Sequence, residues 1–254
     1  AGRYEASQVQ SRLERDTSDA LSDIRGGLTR NVQSLQALQS SNPTPNSWAI
    51  DAAEMLRQHR ELMRIEWRDA GLRPLAHVDT PYRGNLFGRG AVDGQGGRER
   101  AHTDVSLACA NARRFNGPAY SSSYFVPSND GLGLAVIEMC LPLISPGRIA
   151  GYAVATYALQ EVLANLVGRQ LARSQEISFT EADGTRLALH GSARRGVRMF
   201  TAQQLLDLPG NTLVLMTNPQ GREALPVGAA GLGRRPVFGG QMLAKILTLR
   251  AQIG

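Results

Sequence analysis

The spacing of apolar positions along this chain changes several times, and each change marks an element. Between residues 4 and 39, Val9, Leu13, Thr17, Leu21, Ile24, Leu28, Val32, Leu35 and Leu38 recur at steps of three and four. That spacing predicts one long amphipathic helix with a narrow apolar stripe, bent or broken at Gly26-Gly27. Asn42-Pro-Thr-Pro-Asn46 ends it, because proline removes backbone donors and disfavours helix before it. Asn46 or Ser47 then caps a second helix, Trp48 to Leu62. From Met63 the period drops to two, with Met63, Ile65 and Trp67 set against Arg64, Glu66 and Arg68. This is a half-buried strand, turned at Ala70-Gly71 into a hairpin partner over Leu72–Val78. Asp79–Gly97 reads as a long loop, and loops of that length commonly bind or cover ligands.

Arg98–Arg114 returns to helical spacing, and Ala119–Tyr157 reads as three antiparallel strands. Their turns fall at Pro127–Gly131 and Ser145–Gly147, both rich in turn-forming residues. In the middle strand Ala135, Ile137, Met139, Leu141 and Leu143 share one face, and Leu134, Val136, Glu138, Cys140 and Pro142 share the other. Both faces are mostly apolar, so the strand is expected to be covered on both sides, an α+β layer arrangement. Leu159–Leu171 predicts a helix leaving this meander. A second unit follows: strands at Glu176–Thr180, Arg186–His190 and Asn211–Thr217, a turn at Asp183-Gly184, a short helix over Phe200–Leu208 and a last amphipathic helix over Gln241–Ile253. The divisions expected are 1–41 for the long helix, 42–172 for the main domain, 173–238 for a smaller strand-rich unit and 239–254 for the C-terminal helix.

Composition narrows the function classes. The chain has 254 residues, 42% hydrophobic and 20% charged, enough for a sizeable core. The net charge of +6 is nearly all arginine, since Lys245 is the only lysine. The arginines are scattered, a solvated surface rather than a nucleic-acid footprint. No apolar run approaches the roughly 20 residues of a membrane span, so composition alone predicts a soluble globular chain. Cys109 and Cys140 lack metal-ligand spacing. They are expected near each other, as buried free thiols rather than a bridge, because a bridge needs an oxidising compartment. The dispersed histidines form no metal cluster. There is no nucleophile elbow and no dinucleotide or phosphate-binding glycine motif. No catalytic residue, metal or cofactor is therefore expected.

A polar set on the meander remains. Tyr120, Ser122 and Tyr124 alternate onto one face of its first strand, Glu138 lies on the middle strand, and Tyr152 and Thr156 lie on the last. A buried glutamate must be paired or hydrogen-bonded, and convergent polar groups on rigid strands suit a ligand pocket. The loop adds Tyr82 and Arg83, with Gly84, Gly88 and Gly90 giving it freedom to move over a guest. Arg83 is the candidate for a ligand carboxylate, because its planar fork pairs two oxygens at once. Glu138 would orient an arginine or meet a ligand amine.

The order of elements, with the segments ELMRIEWRDAGLRPLAHVDTPY, YSSSYFVPSNDGLGLAVIEMCLPL, GYAVATYALQEVL and FTEADGTRLALHG, resembles the extracytoplasmic PAS-like sensor domains (Cache or PDC type) of bacterial membrane-bound histidine kinases. The resemblance covers residues 4–215 and rests on pattern rather than invariant signatures. It implies a long helix, a PAS-like antiparallel sheet flanked by helices, and a smaller second PAS-like or strand-rich unit. It also implies a periplasmic sensor, anchored by flanking membrane spans outside this chain; the helical stripe itself suits pairing as a homodimer, lying along its own domain, or both. Such a domain would bind a small polar or anionic molecule at Tyr82, Arg83, Tyr120, Ser122, Tyr124 and Glu138, with no nucleic acid, and signal to a cytoplasmic kinase. The Arg-x-Trp-Tyr-like run of amino-acid sensors is not matched, as Tyr82-Arg83 is followed by Gly84-Asn85. The competing reading is a periplasmic protein-interaction or structural module without a small ligand.

Overall fold

A computed structural model of the chain describes residues 2–84, 86, 95–127, 133–191 and 200–219, with side chains omitted over 95–103. Gly88 and Gly90 of the loop, and the helix expected at 239–254, lie outside the described residues. The elements run α1 (Gly2–Ala37), α2 (Pro45–Gln58), β1 (Leu62–Asp69), β2 (Pro74–Asp79), α3 (Gln95–Phe115), β3 (Ala119–Tyr120), β4 (Tyr124–Val126), β5 (Leu134–Ser145) and β6 (Arg148–Ala158). They continue through α4 (Leu159–Leu166), α5 (Arg169–Ser174), β7 (Gln175–Thr180), β8 (Arg186–His190), β9 (Ala202–Leu208) and β10 (Asn211–Pro219). The strands form two antiparallel sheets. The first has the order β2-β1-β6-β5-β3, with β4 also on β5, and the second β8-β7-β10-β9. The fold is α+β, as the patterning predicted.

The α1 stripe points into the chain's own core. Leu13, Ala20, Leu21, Ile24, Leu28 and Leu35 are buried. Most of them join one cluster with Ile65 of β1, Ile137, Met139 and Leu141 of β5, and Ile177, Phe179, Leu213 and Leu215 of the second sheet. Burying each such side chain is worth about 1.5–3 kcal/mol. The stripe expected to pair two copies is thus used within one chain, and Arg12, Arg15, Asp19 and Ser22 form part of the exposed side. Two polar residues interrupt the stripe and are matched. Thr17 Oγ1 meets Thr217 Oγ1 of β10 at 2.6 Å, and Asn31 Nδ2 donates to Glu61 Oε1 at 3.0 Å. A buried polar group is stable only opposite its partner, so these pairs set the position of α1 along both sheets.

Several expectations are corrected. No break occurs at Gly26-Gly27. A Cβ on Gly27 would stand 2.7 Å from Leu166 Cδ2, so this glycine serves the close approach of α1 to α4. The helix expected over Phe200–Leu208 is strand β9. Its Ala202, Leu206 and Leu208 are buried while Gln203 and Asp207 are exposed, and pairing with β10 supplies its backbone partners. Tertiary pairing here overrides the modest helix propensity of Gln and Leu. The single helix expected over Leu159–Leu171 is two, α4 and α5, separated at Val167-Gly168. Cys109 of α3 and Cys140 of β5 are close, as expected, but they form a disulfide with Cα atoms 5.1 Å apart rather than two thiols. Both lie in the small apolar cluster that α3 makes with the outer face of the first sheet.

Candidate functional site

Period two divides β5 as expected. Ile137, Met139, Leu141 and Leu143 face the α1 core, and Val136, Glu138 and Cys140 face away from it. On that outer face the register lines up Asp79 of β2, Arg64 of β1, Thr156 of β6 and Glu138 of β5 in one row across four strands. Neighbours in such a row are close enough to interact directly, and the two outer pairs do. Arg64 bonds Asp79 through Nε at 2.5 Å and Nη2 at 3.0 Å. Thr156 Oγ1 donates to Glu138 Oε2 at 2.6 Å. Tyr124 of β4 donates its hydroxyl to Glu138 Oε1. One turn of the pleat further along β1, Arg68 bonds Glu66 at 3.0 and 3.3 Å.

Glu138 is the centre of this arrangement. It is buried, and among the described residues it holds no ion pair; its carboxylate touches two hydroxyls. Burial raises its pKa, against the opposing pull of the Thr156 and Tyr124 hydroxyls. Tyr124 is pushed up as well, first by burial and then by the Glu138 charge, with Asp104 of α3 acting in the same direction. The backbone around Glu138 is fixed by Ser121, whose N–H donates to the Glu138 carbonyl at 2.8 Å while its Oγ accepts the Glu138 N–H at 2.9 Å.

The structure brings together two of the six candidate residues, Tyr124 and Glu138. Tyr120 lies on the opposite face of the sheet, in the α1 core, where burial raises its pKa. The cause is one extra residue. Tyr120 pairs with Met139 and Tyr124 with Val136, so three residues on one side oppose two on the other. An insertion of one residue in a strand reverses which face the following side chains occupy. Ser122, within the interruption, is exposed. Tyr82 donates its hydroxyl to the Arg57 carbonyl at 2.7 Å and stacks under the Arg60 guanidinium, 4.1 Å from its ring centre. Arg83 bonds Glu161 of α4 at 2.8 Å. The start of the loop is therefore tied to the ends of α2 and α4. Further on, Leu86 packs with Met63, Val126, Leu134 and Val136, beside Tyr124. Arg64 and Asp79 lie outside the six candidates, although the alternation of Arg64, Glu66 and Arg68 puts these side chains on the polar face of β1.

No helix among the described residues is long and apolar enough to cross a membrane. No group of three or more possible metal ligands occurs among them. No protein-family model and no curated protein matches the chain. Solved structures do. The ligand-binding domain of the Pseudomonas fluorescens chemoreceptor CtaA, solved with L-alanine, matches 86% of this chain and 100% of its own at 14% identity and a TM-score of 0.52. With L-leucine the same domain gives 15% identity, 86% and 96% coverage and a TM-score of 0.50. The ligand-binding domain of the Pseudomonas aeruginosa amino-acid chemoreceptor PctC, solved with GABA, covers 84% of this chain and 99% of its own at 14% identity and a TM-score of 0.48. The CtaA matches establish a shared α+β fold, an N-terminal helix with antiparallel sheets.

Proposed function

We propose that this chain is the extracytoplasmic input domain of a membrane-bound receptor, a sensor histidine kinase, and that it binds a small polar molecule on the outer face of the first sheet. The ligand carries an amine that meets Glu138. One observation supports this above the others: Glu138 is a buried carboxylate held by two neutral hydroxyls, while the neighbouring guanidinium groups of Arg64 and Arg68 are engaged by Asp79 and Glu66. A buried carboxylate with no ion pair among the described residues is costly, and a ligand ammonium would offset that cost. Arg83, the earlier candidate for a ligand carboxylate, is occupied by Glu161. Support also comes from the CtaA ligand-binding domain, which shares the fold and was solved with amino acids. The Cys109–Cys140 disulfide supports placement in an oxidising compartment such as the periplasm.

The test is a thermal-shift series on the intact chain with amino acids, simple amines and the matching carboxylic acids that lack the amine. Ligand at a hundredfold excess over its dissociation constant stabilises the folded state by about 2.7 kcal/mol. An amine-bearing compound should raise the melting temperature of the parent, and Glu138→Gln and Tyr124→Phe should reduce the shift. Shifts produced only by the amine-free acids, or unaffected by Glu138→Gln, would reject the reading.

A further inference from the structure

The second sheet has an outer face of its own, away from the α1 core, and its chemistry is unlike that of the first. In β7, Ile177 and Phe179 point into the core, so Ser178 and Thr180 point out. The register extends this into two rows. Arg186 of β8 lies opposite Thr180, which lies opposite Val214 of β10 and then Leu205 of β9. Beside that row, Ser178 lies opposite Met216, which lies opposite Gln203. These residues line a groove of about 560 Å³, together with Asn218, Thr201 and residues of the 181–184 turn. That volume falls within the range of about 300–1,000 Å³ seen for small-molecule sites.

The groove has unused hydrogen-bonding capacity. Ser178 and Thr180 are only 2% and 6% exposed, yet neither side-chain hydroxyl has a hydrogen-bond partner among the described residues. Both hydroxyls border the groove and are free to bond whatever occupies it. Arg186 forms no ion pair among the described residues and lines the same space. Asn218 accepts from Thr201 Oγ1 at 2.9 Å through its oxygen, which leaves its amide hydrogens available. The acidic member, Glu181, is already engaged by the Ser123 hydroxyl at 2.6 Å. These polar groups lie over an apolar floor of Val214, Met216 and Leu205.

We propose that this groove is a second binding site, for a small carboxylate, whose oxygens take the Arg186 fork and the Thr180 and Ser178 hydroxyls while its carbon skeleton rests on Val214 and Met216. It is separate from the Glu138 face in both place and polarity: among the described residues one site presents a carboxylate without an ion pair, the other a guanidinium without one. The inference stands whether or not the Glu138 reading does.

The experiment is isothermal titration of the intact chain with acetate, lactate and succinate, and with succinamide as the uncharged counterpart of succinate. At least one of the three carboxylates should bind saturably and succinamide should not. Arg186→Ala should weaken that binding at least tenfold, equivalent to about 1.4 kcal/mol. Arg186 is exposed and holds no ion pair among the described residues, so the thermal midpoint of this variant should match the parent. Thr180→Val, close in shape, should weaken binding in the same direction, and Glu138→Gln should leave it unchanged. Absence of saturable binding by all three carboxylates would overturn the proposal. So would binding that survives Arg186→Ala, or binding removed by Glu138→Gln and not by Arg186→Ala.

Discussion

Gly210 sits at the tip of the β9–β10 hairpin with φ of +92°, and a Cβ there would stand 2.6 Å from the carbonyl oxygen of Tyr120. Around this contact the Tyr120 N–H donates to the Pro209 carbonyl at 2.8 Å, and Asn211 Nδ2 donates to the Ser121 carbonyl at 3.0 Å. The interruption between β3 and β4 is thus held by the second sheet. The same interruption turns Tyr124 toward Glu138, so the second sheet positions part of the candidate site.

Gly210→Ala should accordingly destabilise the chain for two reasons, backbone strain and the approach of Tyr120. Gly184→Ala is the comparison, because Gly184 has φ of +85° and nothing within 4 Å of its Cβ position. Strain of this kind costs on the order of 1–3 kcal/mol. Urea denaturation should show a larger loss for Gly210→Ala than for Gly184→Ala. Equal losses would mean that the Tyr120 contact carries no weight.

Glu138 should make stability fall as pH rises. Burial raises its pKa, so the folded chain holds this proton more tightly than the unfolded chain, whose glutamates titrate near about 4.3. The stabilisation is complete below that unfolded value and is lost as pH rises through the raised folded one. Glu138→Gln keeps a neutral group at every pH. Denaturation midpoints of parent and variant, followed from acid to mild alkali, should therefore diverge in favour of the variant as pH rises. A difference independent of pH would contradict the assignment.

Glu61 should behave in the opposite sense. Burial acts to raise its pKa, but hydrogen bonds from His59 and Asn31 outweigh it and the net shift is downward. Its contribution is present above the unfolded value and is lost as pH falls through the lowered folded one. Asn31→Ala removes one donor and should cost roughly 1–3 kcal/mol at neutral pH, with the cost shrinking in acid. Calorimetric melts of the two proteins across the acid range would measure this, and a constant cost would count against the Asn31–Glu61 bond.

Replacing Cys109 and Cys140 by serine should destabilise the chain by about 3–4 kcal/mol, the loop-closure estimate for a separation of 31 residues. Mass spectrometry of the parent should show two hydrogens fewer than the reduced chain. Reductant should lower the parent's melting temperature and leave the double variant's unchanged.

How much was legible in the sequence follows from the range of the interactions involved. Spacing is local, so the alternation along β1 and β5 was enough to place Arg64 and Glu138 on one kind of face and Ile65 and Met139 on the other. The same holds for the amphipathic stripe of α1 and the α+β character of the fold. The partner of that stripe was not legible, because Leu13 to Leu35 are as suitable for a second helix as for two sheets. Only the tertiary matches Thr17 to Thr217 and Asn31 to Glu61 decided between them. Tyr120 and Tyr124 share a face on period two alone. One inserted residue, held in place by a hairpin about 90 positions further along the chain, reversed that, and a long-range cause of this kind leaves no trace in local spacing. The β9 segment reads as helix by propensity and becomes a strand because β10 supplies its hydrogen bonds. The sequence by itself determined which residue types each element would expose and bury. The tertiary structure decided which polar groups would satisfy one another, as Arg64 does Asp79 and as Tyr124 and Thr156 do Glu138, because those pairings join strands far apart in the sequence.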